Sequence, residues 1–493
     1  MIGTVAVPDA VEMRSLDAAA IDGLGIPGAV LMERAGLAAA HEVLQRHPAA
    51  RRTTIVCGPG NNGGDGFVVA RHLRSAGLEA RTVLVGPLSR LSLDARTNHD
   101  ICKRMGIPVI RTSDRAAVRR LLRTADVAVD ALLGTGATGA PRGAIGAAVA
   151  ALNAASCPVI ALDVPSGVDA SDGTVAGEAV RAECTVAFHA PKVGLVVAPG
   201  RDHAGAVVVA DIGIPSSLEA PTRVSLATRG LLELAPRKAA NSTKYAAGAV
   251  LVIGGAQGMT GAPQLAGLAA MRSGAGLAWL AVPEPFAATP ELMVRALPEG
   301  LELAERADAV VLGPGLGRSD EAGELARRLA RRHRGPMVID ADALFALSGR
   351  LELTARRRVP AVLTPHEGEL GRLLERDSGW VRANRMEAVR TAASLSKAVV
   401  LLKGPDTLVA APGGDRVIVS TSEAHGLATA GSGDVLSGVI GALLGGGLDP
   451  LAAAVVGAVA HARAGLLAQE RVGLDGIIAG DVIHDLPRVF ADR

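Results

Sequence analysis

The sequence predicts an α/β protein with two doubly wound, largely parallel sheets in series, and three observations lead to that reading. Short β-branched runs recur along the 493 residues, each followed by a glycine-rich or polar loop and then by helical spacing. Each half opens this pattern afresh, with TTIVCGPGNNGGDG at Thr53–Gly66 and GAVLVIGGAQGMTG at Gly248–Gly261. The chain is 49% apolar and 20% charged, which supplies the large cores that two such sheets need.

Composition also excludes several functions. A net charge of +2 gives no electrostatic reason to bind nucleic acid or an anionic membrane. Two Trp, one Tyr and five Phe are too few for base-stacking platforms. Cys57, Cys102, Cys157 and Cys184 lie far apart without metal-ligand spacing, as expected of reduced thiols in a cytoplasmic protein. The opening MIGTVAVPDAVEMRSLD lacks a basic region followed by an apolar run, so it does not read as a signal peptide. No stretch reads as a clean lipid-facing span; the apolar Val435–Leu448 reads as a core helix.

In chain order, Met13–Gln45 reads as two helical stretches around a turn at Ile21–Gly28, with Leu31, Ala35 and Ala38 on one face. Thr53–Gly58 is a buried strand that opens into GPGNNGGDGFVVARHL, the layout of a phosphate-binding turn. Asn61 and Asn62 add side-chain amides to its backbone donors, and Asp65 is suited to cap the helix, orient a sugar hydroxyl or help bind a cation. No Lys-Ser or Lys-Thr closes the loop, so it is not a Walker motif, and it is not the usual dinucleotide fingerprint either. Ala80–Gly86 is a strand and His99–Ile107 part of a helix. A strand ending in Asp130 leads to a second glycine loop, and another ends in Asp163 before Pro165-Ser166-Gly167. Loops at the carboxyl ends of such strands gather at one edge, so Asn61–Asp65, Asp130, Gly134–Gly139, Asp163 and Ser166 should converge. Taken singly, Asp130 and Asp163 are also ordinary turn residues after a strand. Glu183–Gly200 adds a strand and a loop with Lys192, and Ala206–Pro215 closes the domain. These readings set a first domain at 1–215, a linker without sustained periodicity at 216–236, and a second domain at 237–493.

The second half repeats strand and loop at Ala307–Gly317, Pro336–Leu344, Ala361–Leu370 and Ala398–Ala411, with a short strand in VIVSTS. The run Glu324–Gly335 reads as a helix with a solvated basic face. Asp449 and Pro450 start a long helix on which His461 reads as a packed histidine. The densest signal is GLATAGSGDVLSGVIGALLGGGL, a glycine turn feeding a helix that is apolar nearly all round. Gly431, Ser432 and Gly433 let backbone N–H groups point together at an anion, reinforced by the helix dipole. Asp434, where turn becomes helix, is either an N-cap or a general base beside a phosphate cradle.

Taken together, LMERAG, GPGNNGGDGFVVAR, VDALLGTG, LDVPSGVD and PKVGL, in that order, resemble the NAD(P)H-hydrate epimerase domain, a Rossmann-like sheet. GGAQGMTGAP, LGPGLG, DADAL, LTPHEGE, LLKGPDTLV and GLATAGSGDVLSG resemble the ADP- or ATP-dependent NAD(P)H-hydrate dehydratase, a ribokinase-like domain. The resemblance runs over residues 12–490; the family often has His-Lys before the first strand of the second domain, where this chain has Thr243-Lys244.

The resemblance implies metabolite repair. NADH and NADPH hydrate on the nicotinamide ring to a hemiaminal with two epimers; the first domain interconverts R and S, and the second dehydrates S, giving NAD(P)H. Fusion of both domains looks like the bacterial arrangement, which implies ADP as phosphoryl donor, with AMP and phosphate as products. For the epimerase it implies a pyrophosphate held by Asn61, Asn62, Gly63, Gly64 and Asp65 and by Gly134, Thr135, Gly136, Ala137, Thr138, Gly139 and Ala140. It implies K+ on Asn62, Asp130 and Ser166, Asp163 as acid/base, and Lys192 as its assistant or a phosphate contact. For the dehydratase it implies Asp434 as base, a phosphate cradle of Ala430, Gly431, Ser432 and Gly433, and an AMP contact along Lys403, Gly404, Pro405, Asp406 and Thr407. Ala262, Gly315 and His366 would contact the hydrated cofactor, and Mg2+ would accompany the nucleotide. The implied partners are small molecules, with no nucleic acid or membrane, in a homo-oligomer. Two rivals remain at this level: a vitamin or sugar kinase, which leaves the first domain without a role, and a non-catalytic binding scaffold, which loss of Asp163 or Asp434 would favour; both are present.

Overall fold

Continuous Val, Ile and Leu runs can be buried on both faces only inside sheets covered on both sides, and most of the inner strands here are of that kind. A computed structural model describes residues 3–493. In chain order the strands are β1 (Thr4–Ala6), β2 (Arg52–Cys57), β3 (Glu79–Leu84), β4 (Val109–Arg111), β5 (Val127–Ala131), β6 (Val159–Leu162), β7 (Cys184–Phe188), β8 (Ala206–Ala210) and β9 (Val224–Ala227). They continue as β10 (Ala249–Ile253), β11 (Leu277–Val282), β12 (Met293–Ala296), β13 (Ala309–Leu312), β14 (Met337–Ile339), β15 (Val362–Leu363), β16 (Val399–Leu402), β17 (Asp406–Ala410) and β18 (Val417–Thr421). Contacts divide the chain into one unit of residues 6–224 and another of residues 225–493 with the N-terminal strand.

In the first unit seven parallel strands lie in the order β4-β3-β2-β5-β6-β7-β8. The order reverses between β2 and β5, whose paired ends set Val56 beside Asp130 and Cys57 beside Ala131. That reversal opens the crevice where such sheets bind ligands. The helix Asn61–Ser75 follows β2 directly and buries Phe67, Val68, Val69 and Leu73. Its first turn lies so close to the loop that a Cβ on Gly63 would be 1.9 Å from the Gly58 carbonyl oxygen. Only glycine permits that backbone-to-backbone contact, which is why the loop is spelled NNGG.

The second unit has an eleven-stranded sheet in the order β1-β9-β18-β17-β16-β15-β14-β13-β10-β11-β12. Strands β10 to β16 run parallel to one another, and β17 and β18 add an antiparallel ribbon that pairs with β16. Here the order reverses between β10 and β13, again bringing two glycine loops together: Gly255 N donates to Pro314 O at 3.1 Å and Ala256 N to Gly315 O at 2.7 Å. The helices Ser432–Gly445 and Pro450–Val472 fill the core behind them. Asp449 caps the latter by accepting from Leu451 N and Ala452 N.

Three expectations are corrected. The segment 216–236 is not a plain linker: it carries β9, and Leu231 and Leu232 are buried in the second unit's core. The division therefore falls after residue 224, and the N-terminal strand, assigned to the first domain, belongs to the second unit's sheet beside β9. One helix, Pro450–Val472, is long and apolar enough to cross a membrane; 72% of its apolar window is buried in the core, which accounts for that composition. All four cysteines are free.

Candidate active sites

The first site forms at the β2/β5 crevice. Asp163 ends β6 in a left-handed conformation, φ 63°, which Asp tolerates better than most residues. Its Oδ1 lies 2.5 Å from Lys192 Nζ, and its Oδ2 accepts from Thr135 N at 3.1 Å and from the Thr135 hydroxyl. Lys192 is 1% exposed and also donates to Phe188 O at 2.6 Å. Burial works against the charge of Asp163, but the Lys192 ammonium and the Thr135 donors outweigh it and hold the carboxyl below the usual range. Burial pushes the Asp65 carboxyl well above its usual value, and the Asp163 charge adds to that. Asp17, on the helix Ala10–Ala18, is raised for the same two reasons. Asp163 is thus pushed toward its ionised form while Asp65 and Asp17 are pushed the other way, a divergence of the kind that marks acid–base sites.

Beside this pair is an oxygen-lined nook. Asn62 Nδ2 donates to Leu133 O at 2.8 Å and Leu162 O at 3.3 Å, which leaves its buried Oδ1 without a partner. Ser166 Oγ donates to Asp130 Oδ1 at 2.7 Å, and Ser166 N to Asp130 Oδ2 at 2.8 Å. Burial pushes Asp130 up to about 6 against those donors. Gly134 packs between Asn62 and Asp163, since a Cβ on it would be 3.3 Å from Asn62 Cβ and 3.4 Å from Asp163 Oδ2. Asn62, Asp130, Gly134, Thr135, Asp163, Ser166 and Lys192 therefore meet, while Asn61, Gly136, Thr138 and Gly139 are exposed on the loops in front.

The second site forms where the helix Ser432–Gly445 starts. Gly431, φ 84°, takes the N-cap position, and no side chain caps the helix. Asp434 is in the first turn instead, and among the described residues its carboxylate accepts no hydrogen bond, so the cap reading does not hold. Burial, and then the nearby Asp340 charge, push Asp434 up to about 7, with Lys403 opposing. Lys403 Nζ pairs with Asp340 Oδ1 at 2.8 Å, and Ser437 Oγ donates to Asp340 Oδ2 at 2.5 Å. Gly433 lies against this group; a Cβ on it would be 3.1 Å from Lys403 Nζ.

The loop Lys403–Thr407 is clamped from below by Arg385, which is 2% exposed. Arg385 donates to Lys403 O at 3.4 Å and Asp406 O at 3.1 Å, and pairs with Glu367 at 2.6 Å and Asp406 at 3.3 Å. Gly315 and Ala262 come together across the β10/β13 crevice, 3.3 Å separating Ala262 Cβ from a Cβ built on Gly315. His366 caps the helix Glu367–Leu373 through Nδ1, accepting from Gly368 N and Glu369 N, and its ring is largely exposed. Asp340, Ser437, Arg385 and Asp17 were not singled out from the sequence. Asp340 ends a strand in PMVID, the same signal that marked Asp130 and Asp163; Asp17 has no such signal.

The family model described as NAD(P)H-hydrate dehydratase matches residues 250–488, and the one described as YjeF-related protein N-terminus matches residues 28–194. The bifunctional NAD(P)H-hydrate repair enzyme Nnr of Moorella thermoacetica is 40% identical over 512 residues, covering 98% of this chain and 96% of that protein. The chain belongs to this family of bifunctional NAD(P)H-hydrate repair enzymes. The Escherichia coli repair enzyme is 36% identical and covers 97% of this chain and 92% of its own length. Among solved structures, an ADP/ATP-dependent NAD(P)H-hydrate dehydratase from Bacillus subtilis, co-crystallized with ATP/Mg2+, is 28% identical with a TM-score of 0.47, over 53% of this chain and 96% of that one. As a bifunctional repair enzyme, the chain carries a Rossmann-like epimerase half and a ribokinase-like dehydratase half.

Proposed function

We propose that this protein restores hydrated NADH and NADPH in two reactions: epimerisation of the R and S hydrates, then dehydration of the S hydrate with ADP as phosphoryl donor. The observation that carries the reading is Asp434, a carboxylate held at about 7, free of capping duty, behind the Gly431 turn and across from Lys403. A base near neutrality can take the proton of the ring hydroxyl as the phosphoryl group arrives. Backbone N–H groups of Gly431 and Gly433 would face the charge that moves in that step, Ser432 N being turned to Thr429 O at 3.4 Å, and Lys403 would add a fixed cation. The phosphorylated oxygen then leaves with the electrons of its C–O bond, the neighbouring ring carbon gives up a proton to water as the double bond forms, and NAD(P)H, AMP and phosphate result. Among the described residues no cluster of three or more His, Cys, Asp or Glu offers a metal cage. Mg2+ would therefore be carried in on the phosphates of the nucleotide, whose charge it would neutralise.

In the epimerase half, ionised Asp163 takes the proton of the hemiaminal hydroxyl as the ring C–N bond opens, and returns it when the nitrogen closes on the other face of the carbonyl so formed, with Lys192 keeping it ionised and oriented. Asn61–Asp65 and Gly134–Ala140 hold the pyrophosphate through backbone N–H groups, with His366, Ala262 and Gly315 touching the hydrated cofactor in the other half. The orphaned Asn62 Oδ1, with Asp130 and Ser166, makes a set of hard oxygens that fits K+. K+ would tie the two glycine loops together there. Melting in KCl against choline chloride at equal ionic strength should then show stabilisation by K+, since a ligand of the native state shifts unfolding; equal melting curves remove the site.

Incubation with hydrated NADH and ADP tests the whole reading, with restored NADH followed by absorbance and the nucleotide product identified as AMP. A phosphorylated hydrate that accumulates would favour the kinase rival. The pH profile gives a second check. Asp434 must be ionised to accept a proton, so kcat for dehydration should fall on the acid side of about 7, approaching tenfold per pH unit. A profile flat down to the ordinary carboxylate range assigns the base elsewhere.

A further inference from the structure

We propose that His461 is a positioning residue for the phosphoryl step: it tethers Ser432 and so fixes the direction of the N–H groups that face the transferring phosphate. The helix Pro450–Val472 is otherwise lined with Ala, Val, Gly and Leu where it meets the core, and His461 is the polar exception, 8% exposed. Its Nε2 lies 3.1 Å from Ser432 Oγ, itself 6% exposed. Ser432 is the first residue of the helix behind the Gly431 turn, so its side chain is the lever nearest the phosphate cradle. Burial, with Lys403 adding to it and the Ser432 backbone opposing, pushes the imidazole down to about 4. The ring is therefore neutral and presents one donor and one acceptor, which a serine hydroxyl can match.

A histidine that merely filled the core need not have met the cradle; this one reaches Ser432 on another helix, at its hydroxyl and at its backbone. Its effect should fall on the transition state, where the N–H directions matter most, rather than on nucleotide binding, which the Lys403–Thr407 loop governs. The inference rests on the cradle reading given above.

The test measures dehydration of hydrated NADH with ADP for His461→Leu, His461→Gln, Ser432→Ala and the His461→Leu/Ser432→Ala double variant. Misdirected donors should lower kcat of His461→Leu and of Ser432→Ala by about tenfold to a hundredfold. KM for ADP should stay within about twofold. The double variant should be no slower than the slower single, because both remove one contact. His461→Gln, whose amide reaches the Nε2 position, should recover most of the rate. Epimerisation, a reaction of the other unit, serves as the control for intact protein. If His461→Leu does not fold, Ser432→Ala carries the same expectation. An unchanged kcat in Ser432→Ala, or losses that multiply in the double variant, overturns the tether. Absence of dehydration in the unsubstituted protein would instead overturn the parent reading.

Discussion

Asp434→Asn should leave a folded protein that binds nucleotide and epimerises normally but dehydrates the S hydrate at least about a hundredfold more slowly. The amide matches the carboxylate in size and cannot accept the proton. The helix start does not depend on it, because Gly431 occupies the N-cap position. Stability should move in the opposite direction to activity. The folded-state value of about 7 stands above the ordinary 3.8. A raised carboxyl favours the folded state only while protonated, so its contribution is full below the unfolded value and is lost as pH rises through the folded one. At pH above 7 the wild-type carboxylate is ionised against burial and the Asp340 charge, and the amide escapes that cost. Asp434→Asn should therefore denature at equal or higher denaturant concentration at alkaline pH, with the difference shrinking as pH falls toward the ordinary carboxylate value. Loss of rate with unchanged or raised stability is what a functional residue predicts. Near-normal dehydration would send the search for the base to Asp340 or Glu369.

The sequence showed the two sheets because parallel strands buried on both faces read as unbroken β-branched runs, and the glycine loops between them cannot be spelled otherwise. It hid what depends on distant pairing. β1 has three residues and β9 has four, and neither carries a local pattern strong enough to reveal that they neighbour each other at the edge of the second sheet. Asp434 was ambiguous for a different reason: a cap and a first-turn base are the same residue type a few positions apart. The left-handed Gly431 settles which position is the cap. Asp340 was legible as a strand-end carboxylate, but its partners Lys403 and Ser437 come from elements far along the chain. The same holds for His461, whose meaning lies in a serine on another helix.

Asp163→Asn should abolish epimerisation and spare dehydration. Given a mixed pool of hydrates and ADP, the variant should consume the S form quickly, stall, and then creep at the spontaneous rate of epimer exchange. The substitution keeps an acceptor for Thr135 N but removes the charge that Lys192 faces at 2.5 Å. Lys192 is 1% exposed, so the orphaned ammonium has little water to turn to. Removing one member of a buried pair costs about 3–5 kcal/mol, and the first unit should melt earlier for that reason alone. Lost activity could then be mistaken for lost structure, and the Asp163→Asn/Lys192→Met double variant separates the two. Replacing both charges with neutral groups of similar size should recover much of the stability. If Asp163 is the acid/base, the recovered protein still does not epimerise. Rapid consumption of both epimers by either variant would remove Asp163 from the chemistry and leave it as the anchor of Lys192.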